Sequence, residues 1–237
     1  MPLARVDAIP DLSILMPVFN ERATVERAIE AALSADLPAD GVELVIVDDG
    51  SLDGTREILE FGDWGETVSV VHHVRNVGKG AAVRTALQRA RGRYSAIMDA
   101  DLEYNPGDIA CLLEPLMAGD AAAVFGTRGF QSHSSYGFWY VMGNKAVTTT
   151  ANILFNCWLS DIMTCHKAMS TELFRSLELR ERGFAIEAEI TARLLLRGVR
   201  IYQVPITYSA RGRTEGKKLT AMDGARTLRT LVRCRLR

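Results

Sequence analysis

The sequence lacks any run of about 18 apolar residues, the length a helix needs to cross a bilayer, so no spanning segment is expected. Its opening residues, MPLARVDAIPD, have no apolar core of the kind a secretory signal carries. Cysteine is scarce: Cys111, Cys157, Cys165 and Cys234 lie far apart, with no C-x-x-C pair. That excludes a disulfide framework and a thiolate zinc site, and it predicts reduced thiols in a cytoplasmic protein. Charge of either sign is not in surplus. A formal net charge of −1 provides no global field for nucleic acid, so none is expected as a partner. Repeats and low-complexity linkers are also missing. What remains is a 237-residue chain, 48% apolar and 24% charged, able to bury a sizeable core as one domain.

Apolar runs at residues 12–16, 43–47 and 94–98 read as buried strands, and residues 68–72 as a further strand. Val25, Ala28, Ile29, Ala32 and Leu33 recur at helical spacing, so a helix opens at Asn20 or Glu21. Asp53 caps a second helix from Gly54, and Gly78-Lys79-Gly80 leads into a third over 81–90. This alternation predicts an α/β protein with a doubly wound, mostly parallel sheet. The second half predicts a helix over 106–117, a strand over 121–125 and a long amphipathic helix over 138–155. A helix over 186–197, a strand over 200–205 and a basic helix over 219–236 complete the chain. Glu187 and Glu189 could line the site, but the preferred reading is surface acids in a first turn, favoured by the helix dipole. His72 and His73 read as plain strand residues.

Three predicted strand ends are acidic: residues 19–21, 48–49 and 99–101. Carboxyl ends of parallel strands share one edge, where open α/β sheets bind ligands. Asp99 and Asp101, one residue apart in YSAIMDADLEYNP, repel each other unless a cation lies between them. Hard oxygen ligands suit Mg²⁺ or Mn²⁺, which also take phosphate oxygens. The turn is therefore read as a divalent-metal site gripping a diphosphate. Alone, the pair also fits two solvated loop acids, and Asp48-Asp49-Gly50-Ser51 fits a capping turn. Adjacent acids at the end of a buried strand need partners, however, and the clustering favours a site.

The segments ILMPVFNE, VIVDDGSLDGT, RNVGKGAAVRTAL and IMDADLEYNPGDI, in this order, resemble family 2 glycosyltransferases with the GT-A fold. FGTRGF, YGFWYVMGNKAVTTTANILFN, LSDIMTCHKAM and YQVPITYSARGRTEGKKL look like the dolichyl-phosphate mannose synthase branch, which moves sugars onto polyprenyl phosphates. The resemblance runs from about Leu12 to about Gly224 and implies a GT-A, Rossmann-like sheet flanked by helices. It divides the single domain into a nucleotide-binding half (1–105), an acceptor-binding half (106–218) and a C-terminal helix (219–237). By this resemblance Pro17, Phe19 and Glu21 hold the donor's base and ribose, and Val47 and Asp49 form the base-reading end. Asp99 and Asp101, with Ala100 between them on the donor side, form the metal–diphosphate motif, and Glu103 stands as a third metal ligand. Arg128 matches a donor-contacting arginine. Arg211 and Lys217 match the acceptor-phosphate pair, with Lys218 beside them. The sequence departs from the branch at His166, where an aromatic such as tyrosine is expected, at Gly212-Arg213, and in showing none of the C-terminal spanning helices of anchored members.

The implied reaction is metal-dependent inverting transfer of a hexose from a nucleotide sugar of the GDP-mannose or UDP-glucose type to a polyprenyl phosphate. A phosphate acceptor is already ionised at neutral pH and needs no general base. The alternatives are a soluble hydroxyl acceptor and a silent nucleotide-sugar binder. RGRTEGKK also reads as a solvated charged loop, but VPITY before it completes the branch pattern. A lipid acceptor implies peripheral contact with the inner face of a membrane. The helix over 219–236 fits that role through Leu219, Met222, Leu228, Leu231, Val232 and Leu236 with its arginines, and it fits equally well as a helix packed on the domain.

Overall fold

The computed structural model describes residues 9–129, 137–209 and 221–236. Arg211, Lys217, Lys218 and Leu219 lie outside the described residues. Among those described, the chain alternates β1 (Leu12–Val18), α1 (Val25–Ser34), β2 (Val42–Asp48), α2 (Thr55–Phe61), β3 (Val68–His72), α3 (Lys79–Arg89) and β4 (Tyr94–Ile97). A short 3₁₀ turn, Pro106–Asp108, then opens α4 (Ile109–Met117). Next come β5 (Ala123–Arg128), α5 (Phe138–Phe155), β6 (Lys167–Ser170), α6 (Thr171–Ser176), α7 (Ile186–Leu196), β7 (Ile201–Ile206) and α8 (Ala221–Arg235).

The seven strands form one sheet in the order β3-β2-β1-β4-β6-β5-β7. β1 pairs in parallel with β2 and β4, β2 with β3, and β5 with β7. β6 runs antiparallel to both β4 and β5, so β4 and β5 point the same way. The carboxyl ends of β1, β2, β4, β5 and β7 therefore lie along one edge, while β6 begins there. The sequence reading missed β6 and α6. β6 has four residues, and its first, Lys167, is a fully buried lysine, which hides the apolar signature of a strand.

Alternation along the strands divides the core. Leu12, Ile14 and Met16 of β1 pack with Ile29, Leu112 and Leu113 on one face. Leu15, Val45, Val47 and Ile97 pack with Ala86, Phe125 and Ile190 on the other. Full burial of each such aliphatic side chain contributes about 1.5–3 kcal/mol before entropy losses. A third cluster joins α5, α7 and α8 through Val147, Ala151, Ala192 and Leu231. Thr227, Thr230, Leu231 and Cys234 thus seat α8 on the domain, while Met222, Val232 and Leu236 stay exposed. All four cysteines are free thiols.

At the opposite edge, buried Glu43 accepts hydrogen bonds from Ser13 Oγ (2.5 Å), Arg91 N (2.5 Å) and Gly92 N (3.2 Å), and pairs with Arg91 Nε at 2.9 Å. Burial alone would raise its pKa. The bonds from Ser13 and Arg91 outweigh burial and hold the carboxyl below its ordinary value. The unfolded chain then binds its proton at higher pH than the folded one. The stabilisation is present above the ordinary glutamate pKa and is lost as pH falls through the lowered folded value. Glu43→Gln is expected to lower stability at neutral pH and to flatten its decline in acid, as read from urea midpoints across that range.

Candidate active site

The strand ends converge on a cleft of about 550 Å³ lined by Pro17, Phe19, Glu21, Asp49, Asp99, Ala100, Asp101, Glu103 and Arg128, among others. All but one of the described residues assigned from the sequence are therefore brought together. The exception is Val47, whose side chain is fully buried in the core and absent from the cleft wall.

Each loop is fixed by the next. After β1, Asn20 takes a left-handed conformation (φ 51°). Its N–H donates to Ser51 Oγ (2.9 Å), and its Oδ1 accepts from Leu52 N (2.9 Å). Glu21 N donates to Thr55 Oγ1 at 2.9 Å. After β2, Asp48 accepts from Ser51 N (2.9 Å) and Arg56 Nε (2.9 Å). Asp49 accepts from Gly78 N (2.6 Å) and Val77 N (3.0 Å) and lies 2.6 Å from His73 Nδ1. Its carboxylate shapes the 73–78 loop from inside. His73 is therefore more than a plain strand residue, and His72 meets Asp48 at 3.1 Å. Asp53, expected to cap α2, lies one residue before its N-cap Gly54, with Oδ1 accepting from Thr55 N at 3.0 Å.

Asp99 and Asp101 sit on the turn after β4. Leu102 follows at φ 60°, a conformation costly for a leucine, and strain of this kind collects at functional turns. Asp101 Oδ1 accepts from Glu103 N (3.1 Å), and Glu103 Oε2 accepts from Tyr208 Oη (2.8 Å). Among the described residues no group of three acid, histidine or cysteine ligands is preformed. The donor set of Asp99 and Asp101 still fits Mg²⁺ or Mn²⁺, which bind through one or two carboxylates and complete their shell with water and phosphate oxygens.

A chain of four alternating charges runs beneath the turn, and the sequence reading missed it. Lys79 Nζ lies 2.8 Å from Asp99 Oδ2 and 3.0 Å from Glu187 Oε1, the latter an ion contact without hydrogen-bond alignment. Lys167 Nζ lies 2.5 Å from Glu187 Oε2 and also donates to the carbonyls of Ile162 and Thr164. Burial opposes the charge on Lys79, but Asp99 and Glu187 outweigh it and hold its pKa well above the ordinary lysine value. Burial wins at Lys167, whose pKa is lowered despite Glu187. Glu187 and Glu189 are thus corrected from surface acids to buried ones. Glu189 Oε2 accepts from Arg180 N (2.9 Å) and Glu181 N (2.7 Å).

Glycine makes this meeting possible. Gly78 has φ 109°, and a Cβ there would lie 2.4 Å from the carbonyl oxygen of Arg182. The close approach seats the start of α3 against residues 181–183 and brings Lys79 to Glu187. One signal was available in the sequence: a lysine opening a helix opposes the helix dipole and needs anionic company.

The far wall is aromatic. Arg128 meets Asp161 in a two-pronged pair (Nε–Oδ2 2.6 Å, Nη2–Oδ1 2.9 Å). It donates to Tyr140 Oη (3.2 Å) and lies over the Tyr208 ring at 5.1 Å. Its fork is thus largely taken up by Asp161. His166, fully buried, packs against Tyr104 with ring centroids 4.8 Å apart and planes tilted by 31°. Burial lowers its pKa and keeps the ring neutral.

Acids at the carboxyl edge of a mostly parallel sheet face a cleft walled by tyrosines and buried cations, as in an α/β protein that binds a ligand there. The profile of "Glycosyl transferase family 2" matches residues 13–178, and the chain belongs to that family of glycosyltransferases. It is 29% identical over 205 residues to glycosyltransferase AglJ of Haloferax volcanii, covering 85% of this chain and 64% of that protein. It is 28% identical over 212 residues to the dolichol-phosphate mannosyltransferase of Pyrococcus furiosus, covering 87% and 58%. In both cases the chain spans less than two thirds of the relative's length. Among solved structures, glucosyl-3-phosphoglycerate synthase from Mycobacterium tuberculosis in complex with phosphoglyceric acid shares the fold at TM-score 0.71 and 23% identity, covering 94% of this chain and 79% of that one. The same synthase in complex with Mn²⁺ and UDP-glucose superimposes at TM-score 0.69 and 21% identity, covering 94% and 78%. These structures support the GT-A architecture.

Proposed function

We propose that this chain transfers a hexose, with inversion, from a nucleotide sugar to a polyprenyl phosphate. The observation that carries the donor half is the Asp99–Asp101 turn facing a cleft large enough for a nucleotide sugar. Asp99 and Asp101 would hold Mg²⁺ or Mn²⁺, which supplies Lewis-acid neutralisation of the diphosphate. Pro17, Phe19, Glu21 and Asp49 line the nucleotide end, and Asp49 orders the 73–78 loop there. Lys79 adds a buried positive charge beside Asp99, preorganised for the charge that grows on the leaving group.

Glu187, engaged by two lysines, is not left poised as a general base. An ionised phosphate acceptor needs none. The Pyrococcus relative and the sequence pattern of Arg211 and Lys217 support that acceptor. Contact with a membrane follows, because such a lipid resides in a bilayer.

The test is a panel of GDP-mannose and UDP-glucose with Mg²⁺ or Mn²⁺, offered a short polyprenyl phosphate or the matching free polyprenol and read by mass spectrometry. Product on the phosphate alone is expected. Product on the polyprenol or on a soluble sugar would replace this reading with hydroxyl transfer, and donor binding without any product would make the chain a binder. In the same assay Arg211→Ala should raise the KM for the polyprenyl phosphate by about tenfold or more, since a charge-assisted contact contributes about 1.5–3 kcal/mol. Donor affinity measured by calorimetry should stay unchanged.

A further inference from the structure

The outward side of α5 does not look like a water-facing helix. Trp139 is 83% exposed and Ile153 75%, with Phe138 and Met142 also exposed. Trp139, Met142, Ala146 and Ile153 are spaced by three, four and seven residues, so they share one side of the helix. The opposite side, at Val147, Thr148 and Ala151, is buried. Trp158, just past the end of α5, is 85% exposed. Single exposed apolar side chains are ordinary, but several on one side of a helix, broken here only by Thr149 and Thr150, mark a contact surface.

Charge indicates what covers it. α5 contains Lys145 and no acid. α8, packed beside it, carries four arginines against one aspartate. Arg229 and Arg235 are exposed, and Arg235 Nε donates to Leu154 O at 2.9 Å, which fixes that cation at the last turn of α5. In a chain of net charge −1 this excess is local. The stripe also starts at the cleft, which Tyr140 of α5 and Arg226 of α8 both line.

We propose that the outer side of α5 docks into the headgroup region of an anionic bilayer, with Phe138 and Trp139 beside the cleft mouth and Lys145, Arg229 and Arg235 directed to lipid phosphates. The purpose of such docking rests on the lipid-acceptor reading; the docking itself is measurable without any acceptor. None of the described helices is long and apolar enough to cross a membrane, so the contact is interfacial. Indole rings suit that depth, and basic residues are drawn to anionic lipid. The surface falls on α5, whereas the apolar residues Leu228 and Leu231 of α8 pack towards the domain.

The experiment uses the full chain with vesicles of phosphatidylcholine alone, or mixed with phosphatidylglycerol, both free of polyprenyl phosphate. Co-sedimentation with the mixed vesicles is expected, weakening as salt rises. In Trp158→Phe, brominated lipid should quench Trp139 and spare Trp64, whose Nε1 is held by Leu59 O at 3.2 Å. The double change Trp139→Ser with Ile153→Ser should lower vesicle partition roughly tenfold or more. The melting temperature, and transfer to a short acceptor in detergent, should be unchanged in that variant. Equal vesicle binding by the double variant, or an unquenched Trp139, overturns the proposal. So does a double variant that only loses self-association in sedimentation, which would assign the stripe to a second copy. Vesicle docking without any glycosylated polyprenyl phosphate would leave this surface standing and remove the acceptor reading. Polyprenyl phosphate transfer without docking would do the reverse.

Discussion

Asp101→Asn is expected to lower turnover by about 10³-fold, because the charge of the departing diphosphate would lose several kcal/mol of neutralisation. The fold should survive. Asp101 lies on a surface turn, and an amide can still accept the bond from Glu103 N, so melting temperature and circular dichroism should match the parent. Excess chelator should abolish turnover in the parent, and Mg²⁺ or Mn²⁺ should restore it. Asp99→Asn should also be inactive but should behave differently in the absence of substrate. It removes one of the two carboxylates on Lys79, leaving Glu187 to carry both lysines. Full activity of Asp101→Asn, or full activity of the parent in chelator, would end the metal assignment.

Glu187→Ala should cost about 3–5 kcal/mol of stability, the range for breaking a buried ion pair from one side. Glu187 stands between two ammonium groups that water barely reaches, so its loss leaves Lys167 uncompensated and Lys79 dependent on Asp99 alone. Replacing Glu187 and Lys167 together with methionine should recover much of the loss, because no orphan charge then remains at Lys167. Chemical denaturation at constant slope separates these outcomes. A cost below about 1 kcal/mol for Glu187→Ala, the level of an exposed pair, would show that water screens the cluster.

The legible parts of the molecule were those with local signals. The apolar runs of β1, β2 and β4 and their acidic ends gave the parallel half, because burial on both faces writes itself as a continuous apolar stretch. The acidic strand ends could be read as one site because they sit where such stretches stop, whereas the roles of Pro17, Phe19, Glu21 and Arg128 came only from the family resemblance. The misses share one cause: they depend on partners distant in sequence. Glu187 reads as a surface acid until Lys79 and Lys167 are placed beside it. His73 reads as a strand residue until Asp49 is 2.6 Å away. β6 was invisible for a further reason. It begins at the site edge while its neighbours end there, so a search for strand ends passes over Lys167. Val47 shows the converse: it precedes Asp49 by only two residues, yet its side chain is fully buried in the core.

The place of β6 between β4 and β5 bears on how this protein can be cut and recombined. A fragment ending near residue 105 would carry β1 to β4 but would leave β4 unpaired on the side that β6 normally fills. Tyr94, Ser95, Ala96 and Ile97 are all buried, so that edge would be apolar as well as open, a template for aggregation. Chimaeras meant to exchange donor specificity between relatives should therefore carry residues 167–170 along with the amino-terminal half, although some 70 residues separate them from β4 in the chain.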